Sequence, residues 1–288
     1  MKHLVDRYFQ FCKSSLFQRF TFFGFILFLF GISLFAEKIK FEEQDSDQEI
    51  IVAVAANFKS PMEEIQRMFQ KQYPNSKIMY LYGASGHLTN QIRNGAPIDL
   101  FLSADLDFPT TLYQEGYSEN PPEVYAEGIL ILVGNETLGS ETPIPTILES
   151  KQTKHIAIAN PKTAPYGRAA VEYLQKVGVW KSIQDKLVYG ESVTQVNQFV
   201  LAGASDIGFT SYSAVKSNEN LWKYWKKIDP EFISPILQGK ILIKSKSLNQ
   251  SGKRKMVQNL YQFINSNYTD SIFKKYGYGI PNLNAKSK

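Results

Sequence analysis

The chain has 288 residues, 43% of them hydrophobic, enough to bury one large core or two ordinary ones. Much of its formal charge of +5 sits in the first 36 residues, where Lys2, Arg7, Lys13 and Arg19 face one acid, Asp6; that net +3 leaves +2 elsewhere, which gives no support to nucleic-acid binding. Cys12 is the only cysteine, so the sequence beyond that segment forms no internal disulfide and no thiolate site.

The basic residues precede an uncharged run rich in Phe and Leu (21–36), and polar sequence begins at Glu37. This order predicts a signal peptide cut after Ala36, with an uncleaved membrane anchor as the rival. Cys12 lies ahead of the apolar run, which argues against a lipoprotein. Residues 37–48, acidic and poor in apolar side chains, read as a linker.

From residue 51 one unit occurs twice. Ile51-Val52-Ala53-Val54-Ala55-Ala56 is a buried strand and Asn57-Phe58-Lys59-Ser60 a turn; Pro61 then opens a helix with Met62, Ile65, Met68 and Phe69 on one face. The second strand, 77–82, passes through Gly83-Ala84-Ser85-Gly86 into a short helix with Leu88 and Ile92 inward, closed by Gly95 and Pro97. If the strands are parallel neighbours, both turns emerge at one carboxyl edge. Each helix start then offers unpaired N–H groups and the positive end of a dipole, with Asn57 and Ser85 beside them, so the two ends together make an anion site.

A third strand is expected over 99–103 and a helix over 108–113, then a long apolar strand, 125–133, with Gly128 inside it. A second set follows: strand 155–159, turn 160–166, helix 167–177, strand 187–189, turn 190–193, helix 194–201 and strand 206–210. A crossing is expected over 230–237, a strand over 240–243, a surface loop over most of 244–255, and closing helices with Met256, Leu260, Phe263, Ile272 and Phe273 inward. Strands alternating with helices predict an α/β fold.

Catalytic chemistry finds little support. His87 and His155 are the only histidines past residue 36, too few for a metal site or a Ser-His pair. Ser85 lacks the Gly-x-Ser-x-Gly spacing of a nucleophile elbow, and there is no P-loop or dinucleotide fingerprint. Asp99, Asp105 and Asp107 would repel an anion and read as caps of the next helix; Glu191 reads as a helix-start residue outside the pocket. Arg168 is either an anion clamp or a solvated residue of a helix's first turn.

Five segments taken in order carry a resemblance: Ala55-Ala56-Asn57-Phe58, Gly83-Ala84-Ser85-Gly86, the run Ala96-Pro97-Ile98-Asp99-Leu100-Phe101-Leu102-Ser103-Ala104-Asp105, Asn160-Pro161-Lys162-Thr163-Ala164-Pro165-Tyr166-Gly167, and Asp206-Ile207-Gly208-Phe209. Over residues 50–281 the chain resembles the periplasmic molybdate-binding proteins of ABC importers. The resemblance implies a two-lobed type II periplasmic binding protein fold, each lobe a mainly parallel sheet flanked by helices. Lobe I would comprise 49–127 with 233–283, lobe II 128–232, and 284–288 a tail. It further implies a non-catalytic, extracytoplasmic monomer without cofactor that takes molybdate, and tungstate too, to a membrane permease. The ligand contacts it implies are Asn57 and Ser85, with the N–H groups of Ala56 and Gly86, from the first lobe, and Tyr166 and Val193 from the second; no metal ion is ligated directly. Members of the family differ over which segment supplies a tyrosine, so Ser211 and Tyr212 stay beside Tyr166 as alternatives. The rival functions are a receptor for sulfate or another small oxyanion, a secreted hydrolase using Ser85, and a surface adhesion or signalling protein.

Overall fold

Two five-stranded sheets are built on the same plan. The computed structural model describes residues 49–279 apart from 135, 137, 138, 140 and 246–250; the expected signal or anchor, the linker and the tail lie outside the described residues. The first sheet has the order β2-β1-β3-β10-β4, from β1 (Ile50–Ala55), β2 (Ile78–Gly83), β3 (Leu100–Leu102), β4 (Glu123–Gly128) and β10 (Ile236–Leu242). The second has the order β7-β6-β8-β5-β9, from β5 (Leu130–Gly134), β6 (Ile156–Ala159), β7 (Leu187–Gly190), β8 (Ile207–Ser211) and β9 (Tyr224–Lys227). In each, a central strand pairs parallel with two neighbours, β1 with β2 and β3, β6 with β7 and β8. The strands that follow or precede a crossing, β10 and β5, run antiparallel to theirs. Each sheet with its flanking helices is called a lobe below.

β1 reads as an unbroken apolar run because helices cover both its faces. Ile50, Val52 and Val54 pack with Met62, Ile65 and Phe69 of helix Lys59–Gln72 and with Leu260, Ile272 and Phe273; Ala53 faces Leu88, Ile92 and Ile98. Gly95, with φ 83°, ends the helix Ser85–Arg93 by donating to the Ile92 carbonyl.

Two expectations are corrected, and one strand had not been expected. The single strand expected over 125–133 is two, β4 and β5, in different sheets. Gly128 marks the break, since a Cβ there would overlap the Tyr166 hydroxyl and lie 2.7 Å from Gln238 Nε2. The surface loop expected over 244–255 gives way, from Ser251, to the helix Ser251–Phe263. Burial of Val257, Leu260 and Phe263 against the first sheet outweighs the polar start of that segment. Finally, β9 (Tyr-Trp-Lys-Lys) pairs antiparallel with β5, which its charge concealed.

Lys240 lies wholly buried on β10. Its Nζ donates to the Tyr261 carbonyl at 2.5 Å, sits 3.7 Å over the Tyr261 ring and is 3.4 Å from Glu123. Burial pushes its pKa down to about 8, with Glu123 opposing. Between that value and the ordinary 10.5 the unfolded chain binds more protons than the folded one, so the cost of burying the charge is full below pH 8 and is relieved as pH rises through the window. At ~1.4 kcal/mol per unit, the stability of the wild type relative to Lys240→Met should improve by about 3 kcal/mol between pH 7 and pH 10.5. Urea unfolding of both proteins at the two pH values checks this; a constant difference would contradict it.

Candidate functional site

Four helix starts meet where the lobes face each other. β1 runs through the short turn Ala56–Phe58 into the helix Lys59–Gln72, and β2 through Ala84 into the helix Ser85–Arg93. In the other lobe β6 leads to the helix Pro165–Lys176, and β7 through Ser192 to the helix Val193–Leu201. Ala55, Ala84, Ala164, Tyr166 and Val193 belong to one buried apolar cluster, with Ala56 packed against it. None of the four starts carries a side-chain cap, so the first-turn N–H groups that no backbone carbonyl takes are left for another acceptor.

Asn57 is 7% exposed, and its side chain is not turned to solvent or to a cap. Nδ2 donates to Gln238 Oε1 at 3.0 Å and to the Tyr278 hydroxyl at 2.9 Å. The Asn57 carbonyl accepts from Tyr278 and from Ser213 Oγ, each at 2.8 Å. Gln238 also accepts from the Tyr125 hydroxyl at 2.9 Å and donates to the Tyr166 hydroxyl at 3.2 Å. The amide of Asn57 thus holds the turn in place, and the donor that the turn offers outward is backbone N–H. Phe58, stacked edge-on to Tyr125 and Tyr278, anchors it from below.

Ser85 is 1% exposed; its Oγ accepts from the Ala104 N–H at 2.9 Å and keeps its own proton for donation. Its partner there is the backbone amide of Ala104. The Gly86 N–H is spent on the Thr163 carbonyl, 2.8 Å away in the other lobe. Tyr166, the second residue of its helix, is buried, and desolvation holds its phenol well above the usual value, so it stays a neutral O–H. Val193 opens its helix, which packs on the turn Ala56–Phe58. Of the alternatives, Ser211 Oγ pairs with Ser213 Oγ at 2.9 Å. The Tyr212 ring lies against Trp225 with Lys227 Nζ 4.2 Å above it.

The acids and Arg168 are placed differently from their sequence reading. Arg168 is not solvated alone: it pairs with Asp105, lies 3.8 Å from Asp107, and sits 5.1 Å over the Phe108 ring. Asp105 accepts from Ser103 Oγ at 2.8 Å and, as the cap expected, from the Phe108 N–H at 3.2 Å. Burial raises its pKa, with Arg168 opposing. Asp99 accepts from the Ile51 N–H and pairs with Lys253, both at 2.8 Å. Glu191 is exposed.

Sequence reasoning missed Gln238, Tyr278, Ser213 and Tyr125. An amide inside the apolar strand Ile236–Leu242 was a signal for Gln238; the others lie up to 221 residues from Asn57 and left none.

Residues 50–279 match the family model of the bacterial extracellular solute-binding proteins. The molybdate-binding protein ModA of Rhodobacter capsulatus is 35% identical over 231 residues, 80% of this chain and 88% of its own. That of Azotobacter vinelandii is 35% identical over 235 residues, 81% and 90%. The structure of the periplasmic molybdate-binding protein of Azotobacter vinelandii superposes with a TM-score of 0.72 at 27% identity, covering 81% of this chain and 99% of that one. The fold is that of the type II periplasmic binding proteins, α/β with two sheets flanked by helices. With its matched span, its relatives and its fold in agreement, the chain belongs to the bacterial extracellular solute-binding protein family.

Proposed function

We propose that this protein captures molybdate outside the cytoplasmic membrane, between lobes divided near residues 128 and 232, and delivers it as a monomer to the permease of an ABC importer. The observation that carries the reading is the meeting of four uncapped helix starts, at residues 56–58, Ser85, Tyr166 and Val193, with neutral hydroxyl donors among them. Relatives at 35% identity named for molybdate support it. Backbone N–H groups of Ala56, Asn57, Ser85, Tyr166 and Val193 and the Ser85 hydroxyl would surround a tetrahedral dianion. At about 1.5–3 kcal/mol per hydrogen bond to a charged group, half a dozen supply micromolar affinity after the costs of closure. Tungstate, of the same charge and shape, binds alike, and the segment 1–36 acts as export signal.

The test is a thermal-shift and calorimetric panel on residues 37–288. Molybdate and tungstate raise the melting temperature, as a ligand specific to the folded state must. Ser85→Ala weakens molybdate by about 1–3 kcal/mol. Phosphate keeps a proton near neutral pH and needs an acceptor for it; the buried carboxylate of Asp105 already accepts from Ser103, Phe108 and Arg168. Phosphate should therefore bind at least tenfold more weakly than molybdate, a gap of about 1.4 kcal/mol. No shift with millimolar molybdate on folded protein would end this reading.

A further inference from the structure

We propose that Arg168, Asp105 and Gly86 form a clasp that sets how far the two lobes close, and so which oxyanion fits, without touching the ligand. The proposal rests on the reading above, and it joins contacts that lie side by side. Asp105 is held ready on lobe I by Ser103 Oγ and the Phe108 N–H, and its remaining oxygen takes Arg168 from lobe II. The guanidinium covers the Phe108 ring. That ring is also one wall around Gly86: a Cβ on Gly86 would lie 2.9 Å from Phe108 Cζ and 2.9 Å from Thr163 Cα. The Thr163 carbonyl accepts the Gly86 N–H across the same gap. Lobe I and lobe II therefore meet here at a separation that only glycine permits.

Two consequences follow. The Asp105 side chain is 12% exposed and that of Arg168 37%, so the pair is better shielded from screening than a surface pair and its loss should be felt when the cleft opens. Because Arg168 lies two residues beyond Tyr166, the pair draws the start of the helix Pro165–Lys176 onto lobe I. Sulfate and molybdate present the same charge and acceptors only, so size is what separates them. A contact that stops closure at a fixed depth sets the size that is accepted.

Stopped-flow binding to the exported chain is the test, with molybdate first and sulfate second. Arg168→Ala and Asp105→Asn should each raise the molybdate off-rate about tenfold with the on-rate within twofold. The double variant should do no worse, since both remove one contact. Arg168→Lys should recover part of the loss, showing that the charge and not the fold is at issue. Gly86→Ala should hold the lobes apart and weaken sulfate more than molybdate. If Arg168 instead reaches the ligand, Asp105→Asn frees it and tightens binding while Arg168→Ala abolishes it; that pair of results overturns the proposal, as does an unchanged off-rate in either variant or an unchanged sulfate-to-molybdate ratio in Gly86→Ala. Should the wild type fail to bind molybdate, the functional reading falls by itself, and the same off-rate comparison is made with tungstate and then sulfate as probe; failure of all three overturns both.

Discussion

Gly167→Ala should melt roughly 6–12 °C below the wild type and lose most of its oxyanion affinity. A Cβ at this position would overlap the Ala159 carbonyl oxygen and lie 2.8 Å from its carbon and 3.1 Å from the Asn160 carbonyl carbon. These are backbone atoms at the end of β6 and cannot rotate aside, so the helix Pro165–Lys176 must lift from the sheet. Overpacking of this kind costs about 1–3 kcal/mol, and the upper end applies where the obstacle is main chain. For a folded region of this size each kcal/mol is worth roughly 2–4 °C. Tyr166 is the adjacent residue, so its hydroxyl leaves Gln238 and its N–H leaves the cleft as the helix rises. Thermal unfolding and molybdate calorimetry read the two effects separately. An alanine variant that melts and binds like the wild type would show that the helix docks less tightly than the distances state.

Lys253→Met should destabilise the fold by about 3–5 kcal/mol, the cost of removing one partner of a buried ion pair. Asp99 is fully buried at the start of β3, and Lys253 Nζ lies 2.8 Å from its carboxylate. Asp99 also accepts the Ile51 N–H, which ties β1 to the same point. Methionine matches the lysine stem in volume but leaves the carboxylate in the core without that counter-charge. The double variant Asp99→Asn, Lys253→Met should recover much of the loss, because an amide asks far less of its surroundings than a carboxylate. Urea unfolding of the three proteins decides; a single variant as stable as the wild type would mean that water reaches Asp99.

How far the sequence could be read depended on the range of the interactions that decide each feature. The strand–turn–helix units around β1, β2, β6 and β7 were legible because apolar periodicity, Pro at a helix start and Gly at a turn are local signals, and each acts within about a turn of where it occurs. For the same reason Asn57 and Ser85 could be placed where a strand passes into a helix; Tyr166 and Val193, expected at the ends of turns, fall instead within the first two residues of the helices Pro165–Lys176 and Val193–Leu201. The amphipathic faces largely held: Met62, Ile65, Phe69, Leu88, Ile92, Leu260, Phe263, Ile272 and Phe273 are buried, while Met68 and Met256 are half-buried against them.

What each side chain does was a different matter. Asn57 looked like a donor to a ligand, but its amide serves Gln238 and Tyr278, 181 and 221 residues away. Arg168 looked solvated until Asp105, 63 residues earlier, was brought beside it by the meeting of the lobes. The polar segment at 251–255 became helix because Lys253 reaches Asp99 and the residues after it fill the first lobe's core. By itself the sequence determined the strand–turn–helix units around β1, β2, β6 and β7, since those follow from local backbone preference and periodicity. Only the tertiary structure decided which donors remain free for a ligand and which are spent within the protein, because a hydrogen bond is made by proximity in space, and proximity here is set by the meeting of two sheets, the first of which takes β10 from more than a hundred residues beyond β4.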